Sequence, residues 1–187
     1  MRAGVLLPLR VTATHVRAIA TLRVGTLRHG GEVCFPGGRP DEADGGDLAR
    51  TALREAREEL GLERVELLGR LSSMPVYTSD FRLVPHVGLV DEAAVLAPEP
   101  REVAAVLELD VEARLASGSV EAIAFDAHGI KGLSPVFRID DQIMFGATAH
   151  TFYELLIVLA PALGHAVPRL EAGDLTFEAV MAAQTGE

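Results

Sequence analysis

The sequence predicts a mixed α/β fold in a single domain that spans residues 1–187. Its 187 residues are 49% hydrophobic, a length and composition that support one packed core and remove about 70% of the unfolded surface from water. Short apolar segments bounded by turn residues occur both before and after a clearly amphipathic helix, and an apolar helix follows late in the chain. Strands on both sides of a helix favour packed layers of helix and sheet.

The elements follow from these patterns in chain order. Gly, Pro and Asp residues mark 30–46 as a structured loop, and two prolines place 91–100 in a surface loop. Residues 161–187 form a C-terminal extension. The predicted strands are 5–9, 19–24, 65–71, 82–90 and 103–109, and the predicted helices are 47–60, 111–115, 147–159 and 175–183.

Composition excludes several function classes. The formal net charge is -10, from 17 basic and 27 acidic residues, and no basic run is clustered, so general binding to nucleic acid or to an anionic membrane is not expected. The apolar segment 155–163 is about 9 residues long, against roughly 20 for a membrane span. The single cysteine, Cys34, cannot form an internal disulfide, which fits a cytoplasmic protein.

The helix at 47–60 carries most of the chemical information. Glu55, Glu58 and Glu59 are related by i, i+3 and i+4 and therefore share one face. Asp47 is placed to cap the first turn, and Gly61 follows the last turn, where a left-handed C-cap is expected. The face that would pack on the sheet consists of Ala49, Leu53, Ala56 and Leu60.

Two interpretations of the acidic face compete. A solvated acidic surface is one, and a site for a hard divalent cation is the other, because carboxylate oxygens suit Mg²⁺ or Mn²⁺. The Gly-rich segment 31–44 favours the cation site, since a glycine lets a backbone carbonyl approach the same ion closely. The scattered histidines provide no spacing typical of a zinc site.

The loop Gly31-Glu-Val-Cys-Phe-Pro-Gly-Gly38, combined with Arg54-Glu-Ala-Arg-Glu-Glu-Leu-Gly-Leu62, resembles the Nudix box of the Nudix hydrolase superfamily, which spans about residues 37–62 here. Further segments resemble the coenzyme A pyrophosphatase branch of that superfamily, and the similarity covers about residues 3 to 160. These segments are 22–38, Asp41 with Asp44, 51–56, 84–88, 102–103 and 145–149.

The resemblance implies an α/β/α sandwich with a mixed sheet between helices. It also implies metal-dependent hydrolysis of coenzyme A or its thioesters to 3′,5′-ADP and (acyl-)4′-phosphopantetheine, with Mg²⁺ or Mn²⁺ as cofactor. Glu55, Glu59 and the Gly38 carbonyl would be metal ligands, and Glu58 a further ligand or the base that deprotonates water. Arg54 would orient a glutamate through a charge-assisted hydrogen bond.

Other residues have weaker assignments. Glu102 is either a late-chain ligand or base, or a surface acid. The arginines that flank the Gly-rich loop would bind substrate phosphates or serve as surface charge; they are Arg23, Arg28 and Arg39.

The sequence departs from the usual box in one place. Gly38 lies 16 positions before Arg54, two more than is usual, and the early glutamate of the box is not clearly present. Glu42 or Asp44 takes its place, or no residue does. We interpret the extra length as an insertion near Gly45 and Gly46.

Three functional interpretations remain at this point, and hydrolysis of coenzyme A is the first. The enzyme could act on ADP-ribose, a nucleotide sugar or a nucleoside triphosphate in place of coenzyme A. A Nudix-fold binding module without catalysis is the third reading. The partners expected are a small nucleotide diphosphate and, through the apolar late helix, a second copy in a homodimer.

Overall fold

The structure, a computed structural model, describes residues 1–27, 29–76, 80–127 and 129–185. Strands β1 (Arg2–Val11), β2 (Val16–Arg23), β3 (Val33–Cys34) and β4 (Gly37–Gly38) precede a 3₁₀ turn (Glu42–Asp44) and helix α1 (Leu48–Leu60). Next come β5 (Val65–Arg70), β6 (Met74–Pro75), β7 (Arg82–Val90), β8 (Val103–Asp110) and helix α2 (Val111–Ala116). The chain continues through β9 (Ser119–Ala127), β10 (Ile130–Pro135), β11 (Phe137–Ile139), β12 (Gln142–Met144), α3 (Gly146–Leu159), β13 (Arg169–Ala172) and α4 (Phe177–Thr185).

A mixed sheet forms the centre of the molecule. Strands β1 and β7 run parallel over nine paired residues, whereas β2, β4 and β5 pair antiparallel with their neighbours in the same sheet. Strand β8 lies on the outer side of β2, also antiparallel. A smaller sheet has the order β10-β9-β13, and β11 with β12 forms a hairpin.

Alternating side chains of β1 divide the core between the two faces of the main sheet. Leu6 packs with Ala52, Ala56 and Leu60 of α1. Its neighbours Val5, Leu7 and Leu9 join a cluster on the opposite face that contains Phe152, Leu155 and Leu156 of α3. Period-two alternation in a strand that is buried on both faces therefore places helices on both sides, and the predicted α/β/α sandwich is confirmed.

The predicted strands and helices all occur, with ends that differ by a few residues. Strands β9 to β13 lie in segments for which the sequence pattern predicts no element. In the described part of the chain, no helix combines the length and the apolar character needed to cross a membrane.

The buried face of α1 differs from the prediction. Ala49 and Leu53 are only half-buried, whereas Thr51, Ala52 and Glu59 are buried together with Ala56 and Leu60. Compared with the predicted orientation, the helix is rotated about its axis so that the side chains of Thr51 and Glu59 face the interior. Thr51 is accommodated because its hydroxyl donates a hydrogen bond of 2.8 Å to Asp44 Oδ2.

Candidate active site

The Gly-rich loop lies against the second half of α1. Gly37 and Gly38 pair with Val5 and Gly4 of β1, which places both glycines beside the helix. A side chain at Gly38 would have its Cβ within 2.7 Å of the Glu55 carboxylate atoms, so this close approach requires glycine. The two central glycines of the loop therefore lie beside the second half of the helix, whereas Asp44 reaches Thr51 in the first half.

Glu59 is the most deeply buried acid of the helix, with 2% of its surface exposed. Its Oε1 accepts a hydrogen bond of 3.3 Å from the Gly37 amide. Burial raises the pKa of the Glu59 carboxyl to about 7, and the hydrogen bond and the nearby Arg23 charge only partly oppose this. A nearby cation would stabilise the ionised form of this buried carboxyl group, which burial otherwise disfavours.

Glu55 is half-buried, and its surroundings are similar. Burial is the largest cause of its raised pKa, and the charges of Glu58 and Glu102 add to the effect, whereas Arg54 lowers it. Glu102 also contributes to the raised pKa of Glu59. The charges of Glu55, Glu59 and Glu102 therefore act on one another across a small region.

Hydrogen bonds of a loop bring Glu102 to this region. The Glu99 amide donates to the Glu59 carbonyl at 2.9 Å, and the Val24 amide donates to the Glu102 carbonyl at 3.0 Å. The segment 99–102 thereby joins the end of α1 to the end of β2. The Glu102 side chain is exposed, so it is open to an incoming ligand.

Arg54 connects the Gly-rich loop with two of the helix carboxylates. Its Nη1 donates to Glu58 Oε2 at 2.8 Å, and its Nη2 lies 2.9 Å from Glu55 Oε1. Its Nε donates to Asp44 Oδ1 at 3.2 Å, and its Nη2 donates to the Arg39 carbonyl at 2.9 Å. One guanidinium thus fixes the relative position of loop and helix.

Asp44 takes the position facing Arg54, and Glu42 is exposed. The Asp44 carboxylate also accepts hydrogen bonds of 2.8 Å from the Asp41 amide and from the Thr51 hydroxyl. The Arg54 hydrogen bond is the largest cause that lowers the pKa of Asp44, to about 2. The carboxylate therefore remains charged across the physiological range.

The three helix glutamates share one side of α1 through their spacing, but their environments differ. Glu58 is exposed and paired with Arg54, Glu55 is half-buried, and Glu59 is buried. Within the residues that the structure describes, no group of three His, Cys, Asp or Glu side chains is arranged to hold a metal ion. The physical reason is that Arg54 holds the carboxylates of Glu55 and Glu58 toward itself.

The donor set nevertheless fits a divalent cation. Carboxylate oxygens are ligands that suit Mg²⁺ and Mn²⁺, and the absence of a side chain at Gly38 lets the Glu55 carboxylate lie directly against the backbone of the loop.

The arginines predicted to bind substrate differ in placement. Arg23 is half-buried and close enough for its charge to act on Glu59. Arg39 is exposed, and its guanidinium carbon lies 4.7 Å from the centre of the Phe81 ring. Arg28 lies outside the described residues.

Sequence reasoning overlooked two residues of this region. Thr51 lies in the quoted segment 51–56 but had no assigned role, and its hydroxyl donates to Asp44; Phe81, which contacts Arg39, lies outside the quoted segments. The Asp41-x-x-Asp44 spacing matches a capping box, and the structure forms both of its hydrogen bonds. That spacing could have indicated that Asp44 is structured.

Cys34 is close to Thr21, with its sulfur 3.2 Å from the hydroxyl, and burial raises the pKa of the thiol to about 11. This raised pKa makes Cys34 a poor nucleophile.

Comparison with known proteins gives consistent results. The NUDIX domain family model matches residues 3–125. A protein named "Uncharacterized Nudix hydrolase NudL" from Photorhabdus laumondii is 34% identical over 157 residues, which cover 82% of each chain. The protein of the same name from Yersinia pestis is 32% identical over 151 residues, which cover 79% of this chain and 74% of the relative.

Solved structures share the fold at low sequence identity. A MutT/nudix family protein from Enterococcus faecalis matches with a TM-score of 0.55 and 11% identity over 100% of this chain and 67% of its own. The Nudix hydrolase RenU from M. smegmatis matches with a TM-score of 0.50 and 18% identity over 59% of this chain and 70% of its own.

Proposed function

The chain belongs to the Nudix hydrolase family, and from that premise we propose that it hydrolyses the diphosphate of coenzyme A or an acyl-coenzyme A. The products would be 3′,5′-ADP and 4′-phosphopantetheine or its acyl form. Nudix hydrolases act on nucleoside diphosphates linked to a second group and use divalent metal ions. The metal proposed here is Mg²⁺ or Mn²⁺.

The observation that carries the reaction class is the approach of Gly38 to the Glu55 carboxylate beside the buried carboxylate of Glu59. Burial of the Glu59 carboxylate near the charge of Glu55 is costly without a compensating cation, and Arg54 pairs with Glu55 at 2.9 Å rather than with Glu59. A structural helix would gain nothing from the arrangement, whereas a site for a divalent ion and a diphosphate requires it. A bound divalent ion would neutralise phosphate charge and lower the pKa of a water molecule.

The roles of the residues follow from their placement. Glu55, Glu59 and the Gly38 carbonyl would hold the metal. The exposed Glu58 and Glu102 are the candidates for the base that takes the proton from water, since both remain accessible beside the buried pair. Arg54 would orient Glu55 and Glu58, and Asp44 would hold Arg54 in place.

Arginines would bind the phosphates of the substrate. Arg23 faces Glu59, and Arg39 follows the Gly38 that contacts Glu55. Arg28 is proposed for the same role on the basis of the sequence resemblance alone.

Coenzyme A as the substrate is supported by two segments that resemble the coenzyme A pyrophosphatase branch and that meet in the fold. Phe35, from the segment 22–38, has its ring centre 6.2 Å from that of Phe152 in α3. Helix α3 begins at Gly146, within the second segment, 145–149. Strand β12, which ends directly before the segment 145–149, lies beside β3 of the first segment, so the start of α3 follows a strand that contacts the segment leading into the Gly-rich loop.

Another nucleoside diphosphate substrate, such as ADP-ribose, a nucleotide sugar or a nucleoside triphosphate, is the alternative, because the metal-binding carboxylates do not select the group beyond the diphosphate. A cytoplasmic location and a homodimer remain predictions from the sequence.

A substrate panel tests the proposal. Purified protein with Mg²⁺ or Mn²⁺ would be incubated with coenzyme A, acetyl-coenzyme A, ADP-ribose, NADH and dATP, and the products identified by mass. Glu59→Gln should lose at least about 100-fold in kcat, since the metal supplies the largest electrostatic contribution. Glu63→Gln is the matched control, because Glu63 is exposed and pairs with Arg57 outside the site.

The outcomes separate the two parts of the proposal. Formation of 3′,5′-ADP from coenzyme A that disappears in Glu59→Gln supports both the substrate and the site. Cleavage of another diphosphate in place of coenzyme A overturns the substrate and leaves the carboxylate site standing. Equal activity of Glu59→Gln and Glu63→Gln overturns the site.

A further inference from the structure

Arg39 is an exposed arginine that directly follows Gly38, the glycine in contact with the Glu55 carboxylate. Its guanidinium carbon lies 4.7 Å from the centre of the Phe81 ring, and its side chain is exposed. Among the described residues, no acidic side chain forms an ion pair with Arg39, whereas Arg54 pairs with Asp44, Glu55 and Glu58. Arg39 is therefore available to bind an anion.

The position of Arg39 relative to the carboxylates is fixed by its backbone. Its carbonyl accepts a hydrogen bond of 2.9 Å from Arg54 Nη2, and the preceding Gly38 lies against the Glu55 carboxylate. The long side chain would otherwise sample many rotamers, and ordering it on binding would cost conformational entropy. The contact with Phe81 restricts that freedom before a ligand arrives.

Backbone hydrogen bonds hold the residues on both sides of Phe81 in place. Its carbonyl accepts a hydrogen bond from the Val76 amide at 2.9 Å. The preceding Asp80 carbonyl accepts from the Met1 ammonium at 2.7 Å, and the following Arg82 amide donates to the Met1 carbonyl at 2.9 Å. The backbone that carries the ring is thus anchored to Met1, the residue directly before β1, and β1 is the strand that also pairs with Gly37 and Gly38.

We propose that Phe81 is a positioning residue for substrate binding: its ring holds the guanidinium of Arg39, the residue that follows the Gly38 in contact with Glu55, and leaves the N–H edge free to bind the diphosphate that is cleaved. A guanidinium that rests with one face on an aromatic ring keeps its in-plane donors available for a bidentate contact with phosphate. The inference rests on the proposed function for the reaction. It adds a residue outside the quoted motif and names the group that this residue serves.

A double-mutant cycle tests the proposal. KM and kcat for coenzyme A with Mg²⁺ would be measured for wild type, Phe81→Leu, Phe81→Tyr, Arg39→Ala and the Phe81→Leu/Arg39→Ala double variant. Phe81→Leu should raise KM about two- to five-fold, the factor expected from an exposed cation–π contact, with kcat unchanged. Phe81→Tyr keeps the ring face and should behave as wild type, and Phe81→Leu should have no further effect when Arg39 is already alanine.

Two controls accompany the cycle. Arg57→Ala removes an exposed arginine of α1 that pairs with Glu63 away from the site. This variant should leave KM unchanged. Thermal denaturation checks that Phe81→Leu still folds. Dephospho-coenzyme A, which has the same diphosphate without the 3′-phosphate, should show the same coupling between Phe81 and Arg39.

Four results would overturn the proposal: additive effects of the two substitutions, a fall in kcat at constant KM, a Phe81→Tyr variant as impaired as Phe81→Leu, or loss of the coupling with dephospho-coenzyme A. If the wild type turns over no diphosphate, the proposed function fails separately. Calorimetric titration of the same variants with ADP and Mg²⁺ then decides the inference from Kd: coupling between the two residues supports it, and additivity overturns it.

Discussion

Gly38→Ala tests the central contact of the candidate site. The new Cβ would lie within 2.7 Å of Oε1, Cδ and Oε2 of Glu55. Since Gly38 does not have a positive φ, alanine is compatible with the backbone, and the substitution acts through this contact alone. The carboxylate is the end of a flexible side chain, so it can move without disturbing the fold.

The magnitude follows from the displacement that is required. An ordinary contact between a Cβ and these atoms needs about 3.4 Å, so the Glu55 carboxylate must move by about 1 Å. A misplacement of this size in a catalytic group costs about 100-fold in rate, which is about 2.7 kcal/mol of activation free energy. The melting temperature should fall by only a few degrees, because no buried apolar contact is lost.

The assay is kcat at saturating Mg²⁺ on whichever substrate the panel identifies, with a thermal melt on the same samples. Gly69→Ala is the matched control, since a Cβ at that exposed glycine meets no atom within 4 Å. Wild-type kcat and KM in Gly38→Ala would refute the reasoning, because Glu55 would then work without occupying the position that the structure gives it.

Two further predictions concern pH. Arg54 lowers the pKa of Asp44 to about 2. The stability that this carboxylate contributes is therefore present above about pH 4 and is lost as the pH falls toward 2. The difference in melting temperature between wild type and Asp44→Asn should shrink over that window, and Glu42→Gln is the exposed control. Because burial raises the pKa of Glu59 to about 7, the folded protein holds this proton from about pH 4.5 to 7 while the unfolded chain releases it. The melting temperature of metal-free wild type should therefore fall as the pH rises through that window, and a calorimetric series in EDTA in which Glu59→Gln shows the same slope would contradict the assignment.

The parts of the site that the sequence predicts well are those determined by local geometry. Helix α1 ends where its caps indicate: the Asp47 side chain accepts from the Ala49 amide at 2.9 Å, and Gly61 has a left-handed φ of 70°. Such ends depend on one or two neighbouring residues, and the hydrophobic period of the flanking strands depends on a few more. A pattern in the sequence therefore identifies both without knowledge of the tertiary fold.

The parts that the sequence does not predict depend on contacts between distant segments. Glu102 lies near Glu55 and Glu59 because the segment 99–102 hydrogen-bonds to the end of α1 and to Val24, and only the family resemblance suggested a role for it. The rotation of α1 that buries Glu59 depends on the loop that covers it, because the Gly37 amide provides the hydrogen bond that makes this burial acceptable. Helical spacing alone places three glutamates on one side and cannot indicate which of them is covered.

The extra length between Gly38 and Arg54 shows how the fold can absorb an insertion without displacing the site. Gly45 and Gly46 have φ values of 62° and 80°, and a Cβ at either would meet nothing within 4 Å. The Asp47 amide donates to the Asp44 carbonyl at 3.1 Å, which closes a tight turn of the kind that two residues with positive φ form. The turn is exposed to solvent and lies between Asp44, which contacts Arg54, and Asp47, which caps α1. The two glycines therefore add length outside the site, and the contacts of Asp44, Arg54 and Glu55 that a longer loop would be expected to break are retained.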